Sequence, residues 1–359
     1  MFTPSLIQKQ VFTLSWLSGR ASAGTSGSPW NKDDLQAAIN KLPKPFSNWK
    51  VVWGPHYTLA DLNFAASNTM FVAQQQDDGG NPLPVYVVAV AGTNSSSLYD
   101  LLHEDLDIDS TEWKLAGNGP SVLKVTTGDR DGLKNLLGMQ WPFNDIRGYL
   151  ASIQKPDVTL WFTGHSLGGA LSPMLMLALM DPYSVLDTKK TQLSLWKQVN
   201  LLATAGPSIG NQEFVDYFRK LFSASNATTT FVWNAKDVVP HSWASGSMQA
   251  LTSPANIYGL TFAPNSKIAA MLAKQQKNAA QHAYVQFNPT AAFECALQPY
   301  TNGAKSPVSW SPDSEFVAQL GYQHLNAYLG QFGCDYFTQP NPCDDPESAS
   351  QAAKLLGGG

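Results

Sequence analysis

The 359-residue chain carries 23 Lys and Arg against 27 Asp and Glu, a net charge of −4 with a pI near 5.8. That balance excludes the basic footprint of a nucleic-acid binder and a polybasic lipid anchor. Hydrophobic residues make up 43% and charged residues 14%, so a large core is available, no stretch approaches the ~18 apolar residues of a membrane span, and Ser, Thr, Asn, Gln and Gly must supply much of the surface.

The chain opens with a short apolar run, 11–17, after Lys9, and Ala21-Ser22-Ala23 has the form of a leader cleavage site. Thr13, Ser15 and Arg20 weigh against a leader, and the compartment stays open. The stretch 31–42 predicts a short helix capped by Asn31 or Asp33 and ended by Pro43 and Pro45. Strands are expected at 49–53 and 69–73, with a turn at Asp77-Asp78-Gly79-Gly80-Asn81. The run 84–91 is nearly unbroken Val and Ala, the pattern of a strand buried on both faces in a mostly parallel sheet.

That strand ends in Ala91-Gly92-Thr93-Asn94, and a Ser-rich stretch follows. Between 98 and 113, Leu98, Leu101, Leu102 and Leu106 share a helical face, with acidic residues elsewhere. A lid over about 95–115 and a fixed helix facing the core explain this spacing equally well.

The most informative stretch is 158–170, Val-Thr-Leu-Trp-Phe-Thr-Gly-His-Ser-Leu-Gly-Gly-Ala, followed by an apolar helical run to 180. A strand, a sharp Gly-x-Ser-x-Gly turn and a helix make the nucleophile elbow of a serine hydrolase. Gly164 and Gly168 remove side chains where strand and helix pass closest. Ser166 would stand exposed at the carboxyl end of the strand, with the Leu167 amide aimed at a developing oxyanion. Thr93 is the second oxyanion candidate, because ligands bind outside the carboxyl ends of such strands; an ordinary polar loop exit is the alternative. Pro173 is expected to kink the helix.

Further strands are expected at 198–204 and 228–233, with a helix at 213–222 between them. Asp237 follows the second of these strands. The stretch 240–315 reads as excursions and a cap-like insertion, 241–315, with one helix at 267–281, so the whole chain, 1–359, is read as one α/β domain. Serine needs a base, and the base needs a carboxylate to set its tautomer. Of six histidines, His165 adjoins the nucleophile and cannot easily reach back to it, which leaves a role in packing or a local hydrogen bond. His56 precedes the sheet core, His103 falls in the lid stretch and His241 falls where a pocket wall is expected. His324, in the segment 316–329, fits the order Ser, Asp, His and is favoured over His282. Asp237 is favoured over Asp181, Asp187 and Asp216, which fall in helices or helix ends. Cys295, Cys334 and Cys343 read either as holding one bridge, most simply Cys334 to Cys343, or as three thiols.

Three motifs occur in order: 163–170, Thr-Gly-His-Ser-Leu-Gly-Gly-Ala; 205–211, Ala-Gly-Pro-Ser-Ile-Gly-Asn, with Phe214; and 232–240, Val-Trp-Asn-Ala-Lys-Asp-Val-Val-Pro. Over about 65–330 the chain resembles the class 3 lipases, the fungal triacylglycerol lipase-like family. The resemblance implies an α/β-hydrolase fold, a Ser166, Asp237, His324 triad, carboxylester hydrolysis, and an oxyanion residue at Thr93 with a lid after it; the reading calls for no cofactor or metal. Ala91 and Ser208 stand where the family usually has Arg, and the family's His-Gly-Phe segment is only echoed by Thr127-Gly128-Asp129. The expected substrate is a triacylglycerol, met at an oil-water interface. Short soluble, feruloyl and phospholipid esters remain open, as does a hydrolase fold that binds without catalysis.

Overall fold

The computed structural model describes residues 2–23, 28–59, 66–91, 108–114, 122–141, 144–184, 186, 191–223, 226–254, 256–287, 290–300, 310–337, 341–345, 347 and 349–351. Helix α1, Leu6–Ala23, comes first, then α2, Lys32–Asn40. Asn31 caps α2 by accepting from the amides of Asp33 and Asp34, and Asp34 returns the bond to the Asn31 amide, a full capping box. Strands β1, Trp49–Leu59, β2, Ala66–Gln76, and β3, Pro82–Val90, follow. Next come β4, Ser110–Glu112, β5, Lys124–Thr126, and α3, Thr127–Gly138. The ribbon of β6, Gln140–Trp141, and β7, Asn144–Asp145, leads into α4, Ile146–Ile153.

Strand β8, Thr159–His165, turns directly into α5, Leu167–Met180. Beyond lie β9, Gln198–Thr204, β10, Gly210–Asn211, α6, Gln212–Ser223, and β11, Ala227–Asn234. The stretch expected as a cap holds α7, Ser245–Thr252, α8, Lys267–Ala279, β12, Tyr284–Val285, and β13, Ala291–Phe293. Helix α9, Pro312–Gly321, a π turn, Tyr322–Asn326, and α10, Ala327–Phe332, run on without a break.

The central sheet has seven strands in the order β1-β2-β3-β8-β9-β11-β13. The pairs β1/β2 and β2/β3 are antiparallel, and every pair from β3 to β13 is parallel. This is the mostly parallel α/β-hydrolase sheet that the strand pattern predicts. The insertion 241–315 contributes its last strand, β13, as an edge strand of the sheet, and β12 joins β10, β5 and β4 in a second, small antiparallel sheet.

The alternation of side chains along each strand explains why the strands read as unbroken apolar runs. Val88 and Val90 of β3, Leu160 and Phe162 of β8, and Val199 and Leu201 of β9 face α5, whose Leu171, Met174, Leu175 and Leu177 are fully buried. Val87 and Ala89, with Phe71 and Ala73 of β2 and Leu202 of β9, face α1 instead. Fully burying one such Leu or Phe stabilises by roughly 1.5–3 kcal/mol. Pro173 lies inside α5 and removes one donor from its ladder, yet the helix continues from Leu167 to Met180.

Helix α1 is the largest element that the sequence does not announce. Val11, Phe12, Leu14 and Leu17 are buried, and so are Gln10, Thr13, Ser15 and Ser18. Three of these polar side chains have partners: Gln10 donates to the Pro45 carbonyl, Thr13 back-bonds to the Lys9 carbonyl, and Ser18 donates to the Ser15 carbonyl. The apolar run 11–17 is thus the middle of a core helix. The cysteines are three free thiols. Cys334 lies in the α1 cluster, 3.6 Å from the Thr13 hydroxyl, and Cys343 lies in a different cluster with Ala318, so the Cys334 to Cys343 bridge is not formed.

Thr126 caps α3, and Asp129 in the first turn is buried, with its carboxyl accepting from the Thr126 hydroxyl at 2.6 Å. Burial pushes that carboxyl up to about 7, against the smaller opposing effect of the Thr126 hydrogen bond. Because the folded value lies above the unfolded one, the native state holds the proton more tightly. The resulting stability is complete below pH ~4 and is lost as pH rises through about 7. Between pH 5 and pH 8 this group should cost the wild type about 3 kcal/mol. Asp129→Asn keeps an acceptor for Thr126 and should remove that loss; urea melts of both proteins at the two pH values check it, and equal pH dependence would refute it.

Candidate active site

The parallel register brings the functional loops to one edge. Val90 pairs with Gly164, His165 with Thr204, and Thr204 with Val232, so the chain leaves β3, β8, β9 and β11 side by side at their carboxyl ends. Ser166, Ala205 and Asp237 all follow these ends.

Ser166 has φ 60° and ψ −128°, a backbone conformation that L-residues rarely adopt. The turn holds it there by close packing. A Cβ on Gly164 would fall on the Gly168 carbonyl, and one on Gly169 would fall on the Thr204 carbonyl, 3.0 Å from the Gly206 amide nitrogen. The Ser166 amide donates to the Thr204 carbonyl at 3.0 Å, and its side chain makes no cap hydrogen bond to α5. Leu167 is the first residue of α5, so its amide has no intrahelical acceptor. A small, water-sized pocket lies between Gly169, Gly206, Trp233, Gln286 and Phe287.

Asp237 is fully buried and accepts on both oxygens. His324 Nδ1 lies 2.9 Å from Oδ2 and 3.0 Å from Oδ1. The Tyr328 hydroxyl donates to Oδ2 at 2.9 Å and the Val239 amide donates to Oδ1 at 3.0 Å. The Tyr328 hydroxyl accepts in turn from the Asn234 amide, while burial and the Asp237 charge push its proton loss well above the usual phenol range. The buried Asp237 side chain is tolerated because three donors, from His324, Tyr328 and Val239, meet its oxygens. His324 is 1% exposed, and its Nε2 has no hydrogen-bond partner among the described residues, as expected of a nitrogen kept for a substrate proton.

His324 rides on the π turn, and π turns recur at functional sites. A ladder of buried amides fixes this turn: Asn234 Nδ2 donates to Gln323 Oε1 at 2.6 Å, and Gln323 Nε2 donates to the Ala296 carbonyl at 3.0 Å. Asn211 of the Gly-Asn pair caps α6 through the Phe214 amide and also accepts from the Lys124 amide, tying the small sheet to the main body.

The rival residues are accounted for. His282 stacks on Tyr284 and lies 3.7 Å from Asp109, away from Asp237. His165 has no carboxylate partner; its ring nitrogens meet Thr204 and the His324 carbonyl. His241 packs edge-on against Trp233, and His56 stacks on Tyr57. Asp181 accepts from the Tyr217 hydroxyl and Asp216 from Gln212. Thr93, His103, Asp187 and most of the proposed lid lie outside the described residues; the end of that stretch, 110–112, is strand β4. Tyr328, Asn234 and Gln323 were not foreseen, since nothing local to them signals their contacts across the fold.

A mostly parallel sheet with a serine elbow and a buried Asp–His pair at its carboxyl edge defines an α/β hydrolase. Residues 87–246 match the family model of the class 3 lipases. The chain is accordingly a carboxylic ester hydrolase of the lipase class. Among solved structures it is similar to the M37 lipase, at 22% identity and a TM-score of 0.74, over 97% of this chain and 98% of that one. It also aligns with the Rhizomucor miehei triacylglyceride lipase at 16% identity, over 67% of this chain and 76% of that one, TM-score 0.44. The Yarrowia lipolytica Lip2 lipase aligns at 17%, over 67% and 79%, TM-score 0.42. At 22% identity the likeness to the M37 lipase is one of fold. No curated protein matches the chain.

Proposed function

We propose that this lipase hydrolyses long-chain triacylglycerols through an acyl-enzyme on Ser166. His324 Nε2 takes the Ser166 proton as the hydroxyl attacks the ester carbonyl, and Asp237 keeps the imidazole proton on Nδ1 and stabilises the imidazolium. The amides of Thr93 and Leu167 hold the oxyanion. His324 then protonates the departing alcohol, and water cleaves the acyl-enzyme by the same route.

The observation that carries this reading is the buried Asp237–His324 pair with its free Nε2, beside an elbow that leaves the serine hydroxyl uncapped. The stretch 95–115, whose spacing fits a lid and a fixed helix equally well, bears on action at an oil surface only through the interfacial test below.

The test is acid release from an emulsified long-chain triacylglycerol, taken as wild type minus Ser166→Ala. The expected result is release that rises sharply once substrate exceeds its solubility. Cleavage of soluble short esters alone would make the protein an esterase and remove the interfacial role.

A further inference from the structure

His165 sits one residue before the nucleophile, but its ring turns away from the ester site into the fold. Nε2 lies 3.0 Å from the backbone carbonyl of His324, and Nδ1 lies 3.0 Å from the Thr204 hydroxyl. The Thr204 carbonyl is also the acceptor for the Ser166 amide, at 3.0 Å. One imidazole therefore bridges the backbone that carries the candidate nucleophile and the π turn that carries the candidate base.

We propose that His165 is a positioning residue, whose Nε2–H holds the His324 turn against the elbow so that the base stands at a fixed distance from Ser166. The proposal rests on His324 being the general base. A carbonyl has no proton to give, so the hydrogen in this contact must sit on Nε2; in the neutral ring Nδ1 is then an acceptor facing the Thr204 hydroxyl, whose proton the Gly164 carbonyl at 3.2 Å also draws. Burial and the neighbouring His324 hold His165 protonation well below the usual histidine range, which keeps the ring neutral.

The ring is locked from the far side as well. Phe12 meets it edge-on at 6.0 Å and Trp16 lies at 5.6 Å, both from α1, and Tyr328 meets it edge-on at 5.0 Å. The His324 ring itself lies 4.8 Å away. The support for the base thus runs from α1 through His165 to His324, and α1 lies wholly outside the stretch that matches the lipase family model. A displacement of about 1 Å in a reacting group can cost on the order of a hundredfold in rate, which is the scale on which such a clamp acts.

Two variants of the full chain test this on a soluble short-chain ester, with Ser166→Ala measured beside them. His165→Phe keeps a flat ring against Phe12 and Trp16 and removes the donor; His165→Gln restores an amide donor near the Nε2 position. The expected result is a ~10- to 100-fold fall in kcat for His165→Phe with KM within about twofold, and recovery of most of kcat in His165→Gln. Unchanged kcat in His165→Phe would overturn the proposal. So would losses in both variants that simply follow their fall in Tm, which would leave His165 a packing residue. His165→Phe as inactive as Ser166→Ala, with no recovery in His165→Gln, would make His165 the base itself. Full activity in Ser166→Ala would instead remove the elbow reading on which the proposal stands.

Discussion

Ser166→Ala should lower kcat on the order of a millionfold while leaving the fold intact. The size follows from removing the proposed nucleophile, so that the proposed oxyanion donors and substrate binding alone remain. The intact fold follows from the geometry: the Ser166 hydroxyl makes no cap hydrogen bond, and the strained backbone at φ 60° is imposed by Gly164, Gly168 and Gly169 rather than by the serine side chain. Tm should stay within a degree or two, consistent with the small stability effects of substitutions that break no packing. Turnover of a soluble ester and a thermal melt check both halves. A kcat within tenfold of wild type would contradict the assignment.

Asp237→Asn should lower kcat about ten-thousandfold with KM changed little. Asn has the shape of Asp but offers one acceptor where Asp237 offers two oxygens to three donors, namely His324 Nδ1, the Tyr328 hydroxyl and the Val239 amide. An amide NH2 facing His324 drives the imidazole proton from Nδ1 to Nε2. The base is then occupied at the nitrogen that must receive the serine proton. Asp237 is fully buried behind His324 and would not itself meet the substrate, so binding should persist. Steady-state kinetics on a soluble ester separate the two constants, and a loss confined to KM would refute the tautomer argument.

The elbow was legible because its signals are local: Gly-x-Ser-x-Gly between an apolar strand and an apolar helix needs no distant partner. Asp237 and His324 were legible from chain order and from the strand end before Asp237, and the structure brings the two into contact. Their support was not. Tyr328 reaches Asp237 across 91 positions of sequence, and Asn234 reaches Gln323 across 89. Helix α1 was hidden by its own composition. A helix buried between sheet and C-terminal chain carries apolar residues on most faces, with Ser and Thr back-bonded into its turns, which mimics a leader more than an amphipathic helix. The strand β13 was missed because three residues at a sheet edge carry too little pattern to stand out in a Ser- and Pro-rich stretch.

The most direct test of the mechanism is covalent capture by a serine-directed phosphonate, mapped to its residue by mass spectrometry. We predict one equivalent on Ser166 in the folded wild type, with labelling slowed by orders of magnitude in Asp237→Asn. No labelling of folded protein, or labelling at a residue other than Ser166, would contradict the assignment.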